Sequence, residues 1–108
     1  SDKRKEVIRK DEELYQYIFE HGNCKCEECN CNLPKQFRDE EGKIIARWRY
    51  SHILSKGAFP EYRHEIWNIN DLCLNCHSRW EFKDKENMDI YQKNKQVIIN
   101  NTGLDLLK

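Results

Sequence analysis

Two CxxC knuckles, Cys26-x-x-Cys29 and Cys73-x-x-Cys76, are separated by 43 residues, and they constrain the fold of this 108-residue chain more than any other feature. Each knuckle can present two thiolates to one tetrahedral ion, so together they read as a four-cysteine structural zinc site. The gap is longer than a compact zinc ribbon needs, so a substantial piece of chain must fold between the two halves. Cys24 and Cys31 are spares that could exchange with Cys26 or Cys29 as ligands; they read as bystanders beside the site. The first twenty residues are charged and amphipathic without a hydrophobic centre, which points to a reducing, cytoplasmic setting where thiols stay free or bind metal. Disulfides and a redox CxxC fit less well, the latter because no βαβ pattern surrounds either knuckle.

Only 38% of residues are apolar and 35% are charged, so the core is thin and a metal staple would help it. No apolar run approaches the ~20 residues of a membrane span, and no membrane partner is expected. The pattern predicts one α+β domain over residues 1–108 with its motif core at 24–85. Val7, Ile8, Leu14, Tyr15, Ile18 and Phe19 recur at helical spacing, predicting an N-terminal helix over 2–20 that Gly22-Asn23 ends. Gln36–Asp39 and Lys43–Leu54 read as strands joined by a Glu40-Glu41-Gly42 turn. A loop follows at 55–65, then a short return strand over Ile66–Ile69. Asn70-Asp71 then reads as the cap of a helix from about Leu72 to Lys85, with a C-terminal helix over about 88–100.

Between the knuckles stand Tyr50-Ser51-His52 and then Asn68-Ile69-Asn70-Asp71-Leu72-Cys73-Leu74-Asn75-Cys76-His77. A strand-end His followed by Asn-x-x-x-Leu-Cys-x-x-Cys-His, enclosed by an upstream CxxC, resembles the HNH endonucleases of the His-Me finger class. The likeness is to their zinc-stabilised CxxC…CxxC subtype, with a phage-like cast from the Ser55-Lys56-Gly57 loop, and it covers about half the chain, residues 26–77. It implies a ββα-metal core stapled by the zinc and flanked by the two outer helices. It also implies a metal-dependent DNA endonuclease in a bacterial or phage-infected cell. On this resemblance His52 is the general base that deprotonates the attacking water. Asn68 holds the loop that orients His52, and His77 is a ligand of one catalytic Mg²⁺ or Mn²⁺. Many members carry Asp or His directly before the first His as a second ligand; here that position is Ser51, a weak donor for a hard cation. Glu81, four residues after His77 on one helix face, is a candidate substitute, and Asn68 is another.

The formal net charge is zero, so no global field dictates a partner. Locally, Lys43 to His64 holds five basic residues against the single acid Glu61. Arg47 and Arg49 on one face of the predicted second strand, with Lys56 and Arg63, are the expected contacts to a DNA backbone. Trp48, Trp67 and Trp80 read as core or zinc-site cover. The competing reading is a non-catalytic, treble-clef-like zinc module that binds nucleic acid or protein. The His52–Asn68–His77 set separates the two, because a binding module has no use for it.

Overall fold

The computed structural model describes residues 1–107; Lys108, the last residue of the expected unit, lies outside them. Helix α1 spans Asp2–His21, and Ser1 caps it by accepting the Arg4 amide at 3.3 Å. It ends at Gly22, whose backbone is extended and where a Cβ would meet the Ile18 carbonyl oxygen at 2.9 Å. Its apolar stripe is buried only in the second half: Ile8 is 41% exposed, whereas Tyr15 is 3% exposed. Leu14, Ile18 and Phe19 join Tyr15, Tyr50 and Ile69 in one small cluster. Tyr15 stacks on Tyr50 with ring centroids 4.7 Å apart.

The first knuckle follows as a tight loop. The Cys26 amide donates to the Cys31 carbonyl and the Asn30 amide to the Cys26 carbonyl, both at 2.9 Å. The hairpin expected at 36–54 is corrected. Only Arg38 and Ile44 form a bridge, around a turn that the Asp39 carboxylate ties to the Glu41 and Lys43 amides. Ala46 then adopts left-handed backbone (φ 53°), and Arg47–Arg49 make a 3-10 turn instead of continuing a strand.

Extended chain begins at β1 (Tyr50–His52), which pairs antiparallel with β2 (Ile69–Asp71) in the register Tyr50↔Asp71, Ser51↔Asn70, His52↔Ile69. The return strand thus lies three residues later than the apolar run suggested, because Ile66–Asn68 form a 3-10 turn. Helix α2 (Leu74–Phe82) is capped by Cys73, whose sulfur accepts from the Cys76 amide at 3.5 Å. Asn70 and Asp71 cannot serve as the expected cap, because both sit in the sheet with their side chains engaged elsewhere. Asn70 bridges Glu27 and Asn94, and Asp71 takes the Arg49 guanidinium. Helix α3 (Ile90–Thr102) ends at Gly103 in left-handed backbone (φ 76°). Its first amides are capped from the knuckle: Glu28 accepts from Asp89 and Ile90, each at 2.9 Å.

The fold is therefore α+β, three helices around a two-stranded antiparallel sheet. The main core joins Cys26 and Cys76 to Leu54, Leu72, Trp80, Met88, Ile90 and Ile98. Among the described residues no helix is long and apolar enough to cross a membrane.

Candidate functional site

The two knuckles meet. The sulfurs of Cys26, Cys29, Cys73 and Cys76 all lie within 4.8 Å of one another. Tetrahedral zinc with Zn–S bonds of about 2.3 Å sets its sulfurs about 3.8 Å apart, and Cys29 and Cys73 stand at 3.8 Å. Burial pushes the Cys76 thiol up, so its thiolate form would need a cation beside it. The four residues can hold a metal ion such as zinc. Cys24 and Cys31 lie outside this set, as the spacing suggested; Cys31 is exposed and Cys24 half-buried.

Beside the thiol cluster, across α2, a cleft of about 470 Å³ opens between α2, the end of β1 and the C-terminal segment. Cys76 and His77 project about 100° apart around α2. Cys76 turns into the thiol cluster, and His77 turns into the cleft, with Glu81 one turn further on. The His77 Nε2 and the Glu81 Oε2 stand 3.6 Å apart. Two donors on one cation at bond lengths of about 2.1 Å lie roughly 3.0–4.2 Å apart, so the pair fits a shared ion.

Ser51 does not provide a cation ligand. Its hydroxyl is buried (1% exposed) and lies 2.9 Å from the other nitrogen of His77, Nδ1. That contact orients the imidazole and leaves Nε2 on the side of Glu81.

His52 reaches the same cleft from the end of β1. Its Nε2 lies 3.0 Å from the Arg63 carbonyl oxygen. A carbonyl can only accept, so Nε2 carries the proton and Nδ1 is left as the basic nitrogen. Burial pulls this imidazole down to about 4, which keeps it neutral at ordinary pH.

Asn68 is fully buried and ties the loop closed. Its Oδ1 accepts the Leu54 amide at 2.8 Å, and its Nδ2 donates to the carbonyls of Leu54 and Tyr62. Asn68 is 0% exposed and does not line the cleft, so its side chain does not reach a cation there. Its direct ligation is therefore corrected to a tethering role.

The expected DNA contacts divide. Arg47 and Lys56 line the cleft and are exposed. Arg49 does not: it is 1% exposed and clamps both carboxylate oxygens of Asp71 at 2.7 Å, with a third bond to the Pro34 carbonyl. The even alternation that placed it beside Arg47 fails because the segment is a 3-10 turn. Arg63 is turned away from the cleft and holds both carboxylate oxygens of Asp11, at 2.9 and 2.7 Å. Trp80 is core, its indole N–H bound to the Ile53 carbonyl, and Trp67 packs against the same core. Trp48 instead lines the cleft and belongs to neither apolar cluster.

Sequence reasoning missed Lys85, which joins His77 and Glu81 on the cleft wall. Helix α2 ends at Phe82 and Lys85 stands in a separate 3-10 turn, so no helical spacing pointed to it. It also missed Asp11 and Glu28, whose partners are distant in sequence. Against this geometry, comparison of the chain with protein-family models, with curated proteins and with solved structures returned no match.

Proposed function

We propose that this protein is a metal-dependent endonuclease of HNH type, cleaving DNA with a histidine base and one divalent cation on a zinc-stapled ββα-metal core. The observation that carries the reading is the meeting, in one cleft, of a neutral His52 with a defined tautomer and a His77–Glu81 pair able to share a cation. The cations on the cleft walls, Arg47, Lys56 and Lys85, outnumber the single carboxylate Glu81, which favours a polyanion.

In this reading His52 Nδ1 takes a proton from the attacking water as the new P–O bond forms, and the bond to the 3′-oxygen breaks. His77 and Glu81 would hold the cation, Ser51 fixes the His77 ring, and Asn68 closes the loop behind His52. When bound, Mg²⁺ or Mn²⁺ would neutralise charge on the phosphate and the departing oxygen. Arg47, Lys56 and Lys85 would take neighbouring phosphates.

The test is nicking of supercoiled plasmid with added Mn²⁺ or Mg²⁺, with His52→Ala as the comparison. We expect cleavage that needs added metal and falls about 10²–10⁴-fold in His52→Ala. A zinc-loaded protein that binds DNA but never nicks it would favour the binding-module reading. Equal activity in His52→Ala would place the base elsewhere.

A further inference from the structure

Asp11 is an anomaly among the acids of α1. Its neighbours Glu12 and Glu13 are exposed or half-buried, as residues on a charged helix face usually are, whereas Asp11 is 3% exposed. It receives three hydrogen bonds or contacts from one loop: Arg63 Nε at 2.9 Å, Arg63 Nη2 at 2.7 Å and His64 Nε2 at 2.7 Å. Burial pushes its carboxyl up, but the hydrogen bonds from Arg63 and His64 outweigh this and hold it below the usual carboxylate range. Burying a carboxylate is costly unless it is fully paired, and this pair spans 52 residues of sequence.

The clamp holds the side chain of Arg63, whose amide also donates to the Pro60 carbonyl at 3.2 Å and whose own carbonyl receives the His52 Nε2 proton at 3.0 Å. The tautomer of an imidazole is set by the partner of one nitrogen. Moving the Arg63 carbonyl away would let the His52 proton shift to Nδ1, the nitrogen needed as base. One helical turn beyond Asp11, Tyr15 meets the His52 ring edge-on with centroids 6.5 Å apart, so the same helix also borders the ring. The guanidinium of Arg63 is thus turned away from the cleft while its carbonyl faces the base.

We propose that Asp11 is a positioning residue for His52: through Arg63 it pins the carbonyl that holds the proton on Nε2 and leaves Nδ1 free to act. The inference rests on the reading of His52 as the general base, and its test has one arm that does not depend on cleavage.

That arm is ¹⁵N NMR of the histidine rings in the full-length, zinc-loaded protein. In the wild type the His52 proton should sit on Nε2. In Asp11→Asn, with zinc content and melting temperature as checks of folding, the ring should show both tautomers in exchange. In the nicking assay, kcat should fall about ten- to hundredfold with KM for DNA unchanged, as loss of positioning predicts. A helix staple without a positioning role would leave the ring signals as they were. Should Asp11→Asn fail to fold, Arg63→Gln removes the same clamp from its partly exposed end. A single Nε2–H tautomer retained in the variant, a wild-type proton on Nδ1, or an unchanged kcat would each overturn the proposal. A wild type that never nicks DNA counts against the nuclease reading, while the ring signals still decide whether Asp11 sets the tautomer.

Discussion

Helix α2 presents two neighbouring side chains to two very different places. Cys76 enters a set of four sulfurs that comes entirely from this chain and is complete without any further group. His77 enters an open cleft where its Nε2 stands 3.6 Å from Glu81, while its Nδ1 is held by Ser51 behind it. The closed set has the four-coordinate pattern of a structural metal site; the open pair leaves most positions around a cation to water or substrate. One helix therefore separates a closed four-sulfur set, able to hold a metal ion, from an open histidine–carboxylate pair. Glu28, inside the first knuckle, caps α3, while the second knuckle caps α2.

The largest expected effect tests that difference. Stripping the thiolate-bound metal should unfold the protein, since binding at such sites contributes about 10–16 kcal/mol in zinc-finger peptides and small domains are stable by only about 5–15 kcal/mol. Elemental analysis should give one zinc per chain. Far-UV circular dichroism should collapse in a strong chelator and recover when zinc is returned. Milder chelation should remove cleavage first and leave the spectrum intact. Protein that stays folded and active without zinc would end the distinction between the two sites.

Much of this arrangement was legible in the sequence, and what was not has a common physical cause. The CxxC spacing identified the four sulfurs, and the hydrophobic periods located α1, α2 and α3 to within a few residues. The hairpin over 36–54 was misread because Ile44, Ile45, Trp48 and Tyr50 suit a strand wherever their backbone goes. The chain is turned at Ala46 by left-handed backbone, so that Arg49 can reach Asp71 inside the protein. Nothing local distinguishes that arginine from Arg47, which stays exposed. Asp11 was equally hidden, one carboxylate on a helix rich in them, because its importance comes from a loop 52 residues later. The pairing of His77 with Glu81 was visible because it lies within one helical turn. Short-range relations could be read; buried charge partners far apart could not.

Arg49 supplies the second test, of whether the metal end and the cleft end are mechanically joined. Its guanidinium links Asp71, at the end of β2, to the Pro34 carbonyl just beyond the first knuckle, and it lies 5.4 Å from the ring centroids of both Phe19 and Tyr50. Arg49→Met leaves the Asp71 carboxylate buried without its counter-charge. Breaking a buried pair this way costs about 3–5 kcal/mol, to be read as a lower urea midpoint with zinc still bound. Arg49→Met combined with Asp71→Leu should recover most of the loss. If Arg49→Met alone proved neutral, the pair would not be the brace between the two ends.

The smallest effect sharpens the open side of the comparison. Ser51 and Glu81 both touch His77, but from opposite sides: Ser51 is buried against Nδ1, and Glu81 shares the cleft with Nε2. If Glu81 is a ligand, Glu81→Gln removes a charged donor and should raise the Mn²⁺ concentration for half-maximal cleavage most, on the order of a hundredfold. Ser51→Ala removes only the group that steers the ring. Loss of such a partner typically costs about 10–100-fold in metal affinity, and a hydroxyl on a ring already packed in a helix should fall near the lower bound. Ser51→Asp should not add a ligand, because that side chain would face Nδ1 inside the protein. It would accept the Nδ1 proton and strengthen His77 as a donor, so the requirement for metal should fall slightly without a change in the number of bound ions. The measurement is a Mn²⁺ titration of nicking for each variant, alongside a count of bound manganese by electron paramagnetic resonance. A larger shift in Ser51→Ala than in Glu81→Gln would reverse the two roles and place the cation on the buried side of His77.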